Sequence, residues 1–149
     1  MDNSSKCYNE DRRLFLQFIQ NNIVRMNRSS FQIKGMMVTI LTALIAAFVA
    51  VPIRGKGVNV LFLFVAIVPS FIFWVLDSYY LQQERKLRGI YSDYLNGKMI
   101  KKYSFPLNKY KNGKYSLFKI MFSRTEWPMY LVIILGLTIA GVAIIIGGK

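Results

Sequence analysis

Residues 58–76 read VNVLFLFVAIVPSFIFWVL, an apolar stretch without one charged side chain. At about 1.5 Å of rise per residue, a helix of roughly 20 residues covers a hydrocarbon core about 30 Å thick. Two further stretches match it: GMMVTILTALIAAFVAVPI over 35–53 and MYLVIILGLTIAGVAIII over 129–146. A backbone in lipid has no water to pair its amides, so such stretches are helical unless they belong to a closed barrel, and strand alternation is absent from them. The expected fold is an all-α membrane protein with three transmembrane helices.

The chain has 149 residues, 54% of them hydrophobic. With the spans set aside, about 90 residues remain, too few for a separate soluble enzyme domain and enough for helical extensions and one small cap. With no histidine, seven carboxylates and the single Cys7, the chain lacks the usual zinc sites, a Ser/His/Asp triad and a Cys/His pair. No enzymatic activity, cofactor or metal is expected. Cys7 reads as an unpaired thiol. The first 33 residues are polar and amphipathic, so no signal peptide is expected.

The net charge of +13 is unevenly placed. Residues 1–34 carry six Lys/Arg against three acids and residues 77–127 carry eleven against four; the 54–57 turn adds +2 and Lys149 +1. The positive-inside tendency then puts the N-terminus and 77–127 in the cytoplasm of a multi-pass protein of the inner (plasma) membrane, with the C-terminus outside. The same excess also serves attraction to anionic lipid.

Before the first span, Phe15, Phe18, Ile19, Ile23 and Met26 recur at three- and four-residue steps, with Arg13, Gln17, Gln20, Asn21, Arg25 and Arg28 opposite. This predicts an amphipathic helix over 8–30 that lies in the membrane interface or packs on another helix of the same protein, the interface being preferred. Ser29 and Ser30 either break it or cap a new helix running into the first span. Pro69 removes a backbone bond within the second span and bends it, as a gate or as a kink fixed by packing. Trp74, Tyr79 and Tyr80 mark the interfacial belt, and Asp77 among them needs a cation. Arg25, Arg28 and Lys34 lie at its level, and Arg28 is the expected ion-pair partner. The helix continues to about Tyr94, where Asn96-Gly97 ends it.

From Lys98 to Arg124 lysines alternate with aromatics. Lys101, Lys102, Tyr103, Lys109, Tyr110, Lys111, Lys114 and Tyr115 are candidate ligand-binding residues. Within this basic segment, Tyr110-Lys111-Asn112-Gly113-Lys114-Tyr115 signals a two-residue hairpin turn, because Asn-Gly accepts the positive φ values of type I′. Lys111 would then oppose Lys114, an unfavourable pairing unless an anion lies between them. Lipid phosphate is one candidate anion and a nucleotide or oligonucleotide, held by charge and stacking, the other. An isolated hairpin is marginal, so a loop is the alternative.

Gly136 and Ala140 in the third span, and Thr39, Ala43 and Ala47 in the first, lie at spacings that let helix backbones approach closely. They predict a homo-oligomer. No span holds an internal charge, which disfavours ion-coupled alternating access. A pore made by association, lined by Thr39, Thr42 and small apolar residues, fits better.

Residues 26–35 (MNRSSFQIKG), residues 73–85 (FWVLDSYYLQQER) and Ser123 with Trp127-Pro128-Met129-Tyr130 resemble shared blocks of a family of small bacterial membrane proteins. These are multi-pass effectors of antiphage defence, similar to the transmembrane effector of Hailong-type systems. The resemblance implies a homo-oligomeric, tetrameric channel that depolarises an infected cell (abortive infection), partnered with a nucleotidyltransferase whose oligonucleotide product controls opening. Asp77, Tyr80, Glu84 and Arg85 match the second block; an ion-pair role suits them. Two functions therefore compete: a ligand-gated antiviral defence channel, and a non-conducting membrane scaffold that anchors a cytoplasmic partner through its basic segment.

Overall fold

The computed structural model describes residues 3–50, 58–98, 105–110 and 112–147. Its regular structure is helical, with no strand among the described residues. Helix α1 spans Asn3–Ala50, α2 Val58–Leu95, α3 Leu117–Met121 and α4 Trp127–Gly147, with 3₁₀ turns at Leu107–Tyr110 and Gly113–Tyr115. Two helices, over Lys6–Ala47 and Val65–Leu95, are long and apolar enough to cross a membrane, and α4 is a shorter apolar helix.

The polar segment expected as a separate amphipathic helix over 8–30 and the apolar segment after it form one continuous helix. The reason is a single face. Phe15, Ile19, Ile23, Met26, Ser30, Lys34, Met37 and Leu41 recur at steps of three and four, all of them buried or half-buried, so the stripe never leaves register. Ser29 and Ser30 neither break the helix nor cap a new one. The Ser29 hydroxyl donates to the Arg25 carbonyl within the helix at 3.0 Å, and the Ser30 hydroxyl donates to Asp77 of α2.

Helices α1 and α2 run antiparallel: Phe15 meets Tyr94, Ser30 meets Asp77, and Met37 and Leu41 share a cluster with Ala66. At one end Phe15, Ile19, Ile90 and Tyr110 form a core, with Ile23, Tyr91, Tyr94, Phe105 and Tyr115 around it. The polar half of α1 thus packs on α2 from about Phe15 onward. At the other end Met37, Leu41, Ala66 and Tyr130 form a second core, flanked by Phe73, Trp74, Met129, Ile133 and Leu137, which brings α4 beside α1 and α2.

Helix α2 passes through Pro69 without interruption. One residue on, the buried Ser70 hydroxyl donates to the Ala66 carbonyl at 3.0 Å. The helix stops at Asn96-Gly97, where the Lys98 amide donates to the Asp93 carbonyl and the Gly97 amide to the Tyr94 carbonyl. This is the paired closure of a Schellman end, and Gly97 supplies its φ of +70°.

The hairpin is not formed. Gly113 has φ +71°, but Asn112 has φ −108° and ψ 169°, whereas a type I′ turn needs positive φ at both central residues. Short 3₁₀ turns lie on either side instead, and Tyr110 and Tyr115 meet edge to face, with ring centroids 5.2 Å apart, against α2 rather than across a ladder. The loop alternative is the one found.

Candidate functional site

Where the polar half of the molecule meets the apolar half, three helices contribute to one buried cluster. Asp77 on α2 is fully buried. It accepts the Ser30 hydroxyl through Oδ1, and through Oδ2 the Tyr130 hydroxyl at 2.8 Å and the Lys34 ammonium at 3.0 Å. Lys34 Nζ also lies 3.1 Å from Oε1 of Glu126, the residue that precedes α4. Glu126 is only 2% exposed and its Oε2 has no hydrogen-bond partner. One ammonium therefore serves two carboxyl groups. Burial, and then the neighbouring Asp77 carboxyl, push the Glu126 carboxyl up to about 7, with Lys34 pulling the other way. Around this cluster Trp74 stacks on Tyr130 with centroids 5.8 Å apart, and its indole NH donates to the Met121 carbonyl at 3.3 Å.

The partner of Asp77 is Lys34, and the expected pairing with Arg28 is corrected. On a helix Lys34 lies one turn beyond Ser30 on the same face, whereas Arg28 is about 200° around the axis from Ser30. Arg28 is exposed.

Toward the other end of α2 lies an open cleft of about 320 Å³ lined by Arg85, Arg88, Gly89, Ser92, Asp93, Lys114 and Tyr115. Arg85, Arg88, Gly89 and Ser92 stand at i, i+3, i+4 and i+7, one face of the helix. Gly89 permits the close approach. A Cβ there would lie 2.5 Å from the Tyr115 hydroxyl and 2.9 Å from Tyr110 Cε1. The opposing wall is held by Gln82, whose side-chain amide donates to the Tyr115 carbonyl at 2.7 Å, and by the Lys114 ammonium, 5.1 Å from the centroid of the Tyr115 ring. Arg88 is tied to Glu84 at 2.6 Å, and Arg85 donates to the Ser123 hydroxyl at 3.2 Å. Arg85, Arg88 and Lys114 thus stand around Asp93, with Glu84 neutralising Arg88, so positive charge is in excess at this surface.

Of the sequence candidates, Lys114 and Tyr115 line the cleft. Tyr110 is not open for stacking: it is buried behind the cleft and its hydroxyl donates to Asp93 at 2.6 Å. Burial, together with that carboxylate, raises the phenol above its ordinary value. Lys109 is exposed on the first 3₁₀ turn. Lys101, Lys102, Tyr103 and Lys111 lie outside the described residues, so the proposed opposition of Lys111 and Lys114 does too. Sequence reasoning missed Arg88, Gly89, Ser92 and Asp93, and gave Arg85 an ion-pair role rather than a place in the cleft; the signal was a glycine inside a charged helix, one residue from an arginine and three from a serine. Glu126 was missed as well, because its partners lie far away in sequence.

The packing and pore candidates Thr39, Thr42, Ala43, Ala47, Gly136 and Ala140 are exposed in the single chain, while Pro69 is half-buried. Thr39 and Thr42 spend their hydroxyls on the carbonyls of Gly35 and Val38. Comparison of the chain with protein families, characterised proteins and solved structures finds no match, so what the site can do is argued from its own geometry.

Proposed function

We propose that this chain is a multi-pass protein of the cell's inner membrane, with the N-terminus and 77–127 cytoplasmic. Its helices cross the bilayer over 35–53, 58–76 and 129–146. Copies associate into a channel that an anionic nucleotide or oligonucleotide, seated in the basic cleft, opens or closes. Helix α4 supports the membrane placement: it is apolar all round, yet Val132, Leu135, Ile139, Val142 and Ile146 are exposed, which suits lipid or a second copy rather than water. The small and hydroxyl-bearing positions from Thr39 to Ala47 and from Gly136 to Ala140 suit close packing between copies. The role in antiphage defence, the tetramer and the nucleotidyltransferase partner rest on the family resemblance.

One observation carries the coupling of cleft to pore. Arg85 lines the cleft and donates to Ser123, and the Ser123 carbonyl accepts the amides of Glu126 and Trp127, the entry to α4. An anion that draws Arg85 toward itself competes with Ser123, and so acts on the turn that joins α4 to α1 and α2. Such a ligand works only through the difference in its affinity for the two states.

Single-channel recording of the purified protein in planar bilayers, with short oligonucleotides added to the cytoplasmic face, tests this reading. Unitary currents that change with ligand, and whose response weakens as salt rises, are the expected result. Binding without conductance would replace the channel with the scaffold reading. Neither conductance nor binding at moderate salt would leave the basic segment as an orientation and lipid-contact feature.

A further inference from the structure

The cluster at the helix junction has a charge problem that its geometry resolves in one way. Asp77 receives three donors: a serine hydroxyl, a tyrosine hydroxyl and an ammonium. Three donors fill most of the acceptor sites of an ionised carboxylate and replace most of its hydration. Glu126 receives only Lys34, on Oε1, while its other oxygen is buried and unpartnered. A second bare carboxylate in that position would be a buried charge with half its hydration unreplaced.

We infer that Glu126 and Asp77 form a proton-binding site, a carboxyl and a carboxylate that hold one proton between them beside the single ammonium of Lys34. Among the described residues, the charges in contact with the cluster are those of Lys34, Asp77 and Glu126. From α1 the cluster is faced by Ser30 and Lys34, from α2 by Asp77, and from α4 by Tyr130. Arg25, Arg28 and Arg124 are exposed, and Arg85 is engaged by Ser123. With the proton in place, one carboxylate and one ammonium are balanced. Without it, two carboxylates share one ammonium at the place where α1, α2 and the entry to α4 meet, and they repel each other. The raised value of Glu126, about 7 against an ordinary 4.5, agrees with this arrangement. The inference goes beyond the channel reading and does not depend on it, because its readout is a carboxyl vibration in ligand-free protein.

The sign of the linkage follows. Between pH 4.5 and about 7 the folded state holds a proton that the unfolded chain has released, so this group's contribution to stability declines as pH rises through that window and is level above it.

Infrared difference spectroscopy of the full chain in lipid vesicles, titrated from pH 5 to pH 9, provides the test. The expected result is one protonated-carboxyl band that disappears with a midpoint near 7. The band should be absent from Glu126→Gln, which keeps the shape and donor capacity of the protonated acid and is expected to fold. In Asp77→Asn, Glu126 faces Lys34 without a rival, and the midpoint should fall by about one unit or more. No carboxyl band titrating above pH 6 would overturn the inference, as would a band that survives in Glu126→Gln or a midpoint unmoved by Asp77→Asn.

Discussion

Two polar sites share helix α2, and they invert each other. At Asp77, two carboxyl groups surround one ammonium in a closed, buried cluster; at Arg85, eight residues and about 12 Å further along the axis, three cations stand in an open cleft with Asp93, one of them paired with Glu84 behind it. The closed site is a joint, because α1 supplies Ser30 and Lys34 and α4 supplies Tyr130 to one carboxylate on α2, and losing any of them leaves a buried group with a partner fewer. The open site can exchange partners, because water solvates its cations when nothing else does. Depth, rather than charge, separates the two roles: the same ion pair that fixes helices when buried is worth little when wet.

The sharpest way to break this contrast is to remove Asp77. Asp77→Ala takes the shared acceptor from Ser30 and Tyr130 and leaves Lys34 with Glu126 alone; buried hydrogen bonds to a charged group, lost together, cost about 3–5 kcal/mol. Thermal unfolding in mild detergent, followed by circular dichroism, should show a midpoint lower by roughly 6–20 °C, at 2–4 °C per kcal/mol for a chain of this size. Asp77→Asn, which keeps one acceptor oxygen, should fall between the two. A wild-type melting point for Asp77→Ala would mean that the cluster is no joint.

Next in size is Gly89, where the cleft depends on packing. Glycine to alanine within a helix ordinarily gains about 1 kcal/mol. Here the added methyl meets the Tyr110 ring, which is buried and held by Asp93, and the end of Tyr115. The Tyr115 hydroxyl can swing away; the Tyr110 ring has no such room. Gly89→Ala is expected to lose about 1–2 kcal/mol net, by the cost of overpacking, and to weaken anion binding because the opposing wall moves. A stabilised variant would show that the turn and the helix are not in contact.

The cleft charges come third. Arg85→Gln combined with Lys114→Gln should change stability by less than about 1 kcal/mol, since both are at least partly solvated. The same variant should lower affinity for a short oligonucleotide by about tenfold or more and flatten the dependence of log K on log salt by about one unit per contact removed. Isothermal titration at two salt concentrations reads both quantities. If affinity falls with an unchanged salt slope, the two cations do not touch phosphate.

What was legible in the sequence divides along the same line. The apolar stretches and the end of α2 are local facts, written in hydropathy and in the Asn96-Gly97 pair, and they can be read one segment at a time. The unbroken course of α1 was legible only with hindsight about period: Ser30 and Lys34 look like interruptions of an apolar pattern, yet they hold the positions of that pattern and are polar because Asp77 faces them. The Asn112-Gly113 signal failed because a hairpin needs two strands free to pair, and the aromatics around it, Tyr110 and Tyr115, pack on α2 instead. Glu126 had no local sign at all, since its partners come from α1 and α2. Of the cleft, Lys114 and Tyr115 were found from composition. The helix face opposite them needed the knowledge that a 3₁₀ turn would dock there.

The smallest expected effect tests the geometry most cleanly. Arg28 and Lys34 are two cations on one helix, two and four residues from Ser30, and charge alone does not tell which of them serves Asp77. The helix period does. From Ser30, which donates to Asp77, four residues forward turn through about 400° and return to the same face, while two residues back turn through about 200° and reach the opposite one. Arg28→Gln should therefore leave stability within about 0.5 kcal/mol of the parent, as a solvated surface substitution does. Lys34→Gln removes the ammonium shared by the two carboxyl groups and should cost several times as much, with the loss deepening above neutral pH, where Glu126 gives up its proton. Melting both variants at pH 6 and pH 8 compares them directly. Equal losses, or a larger loss for Arg28→Gln, would mean that α1 is rotated about its axis from the position described, and the closed site would have to be rebuilt around a different face.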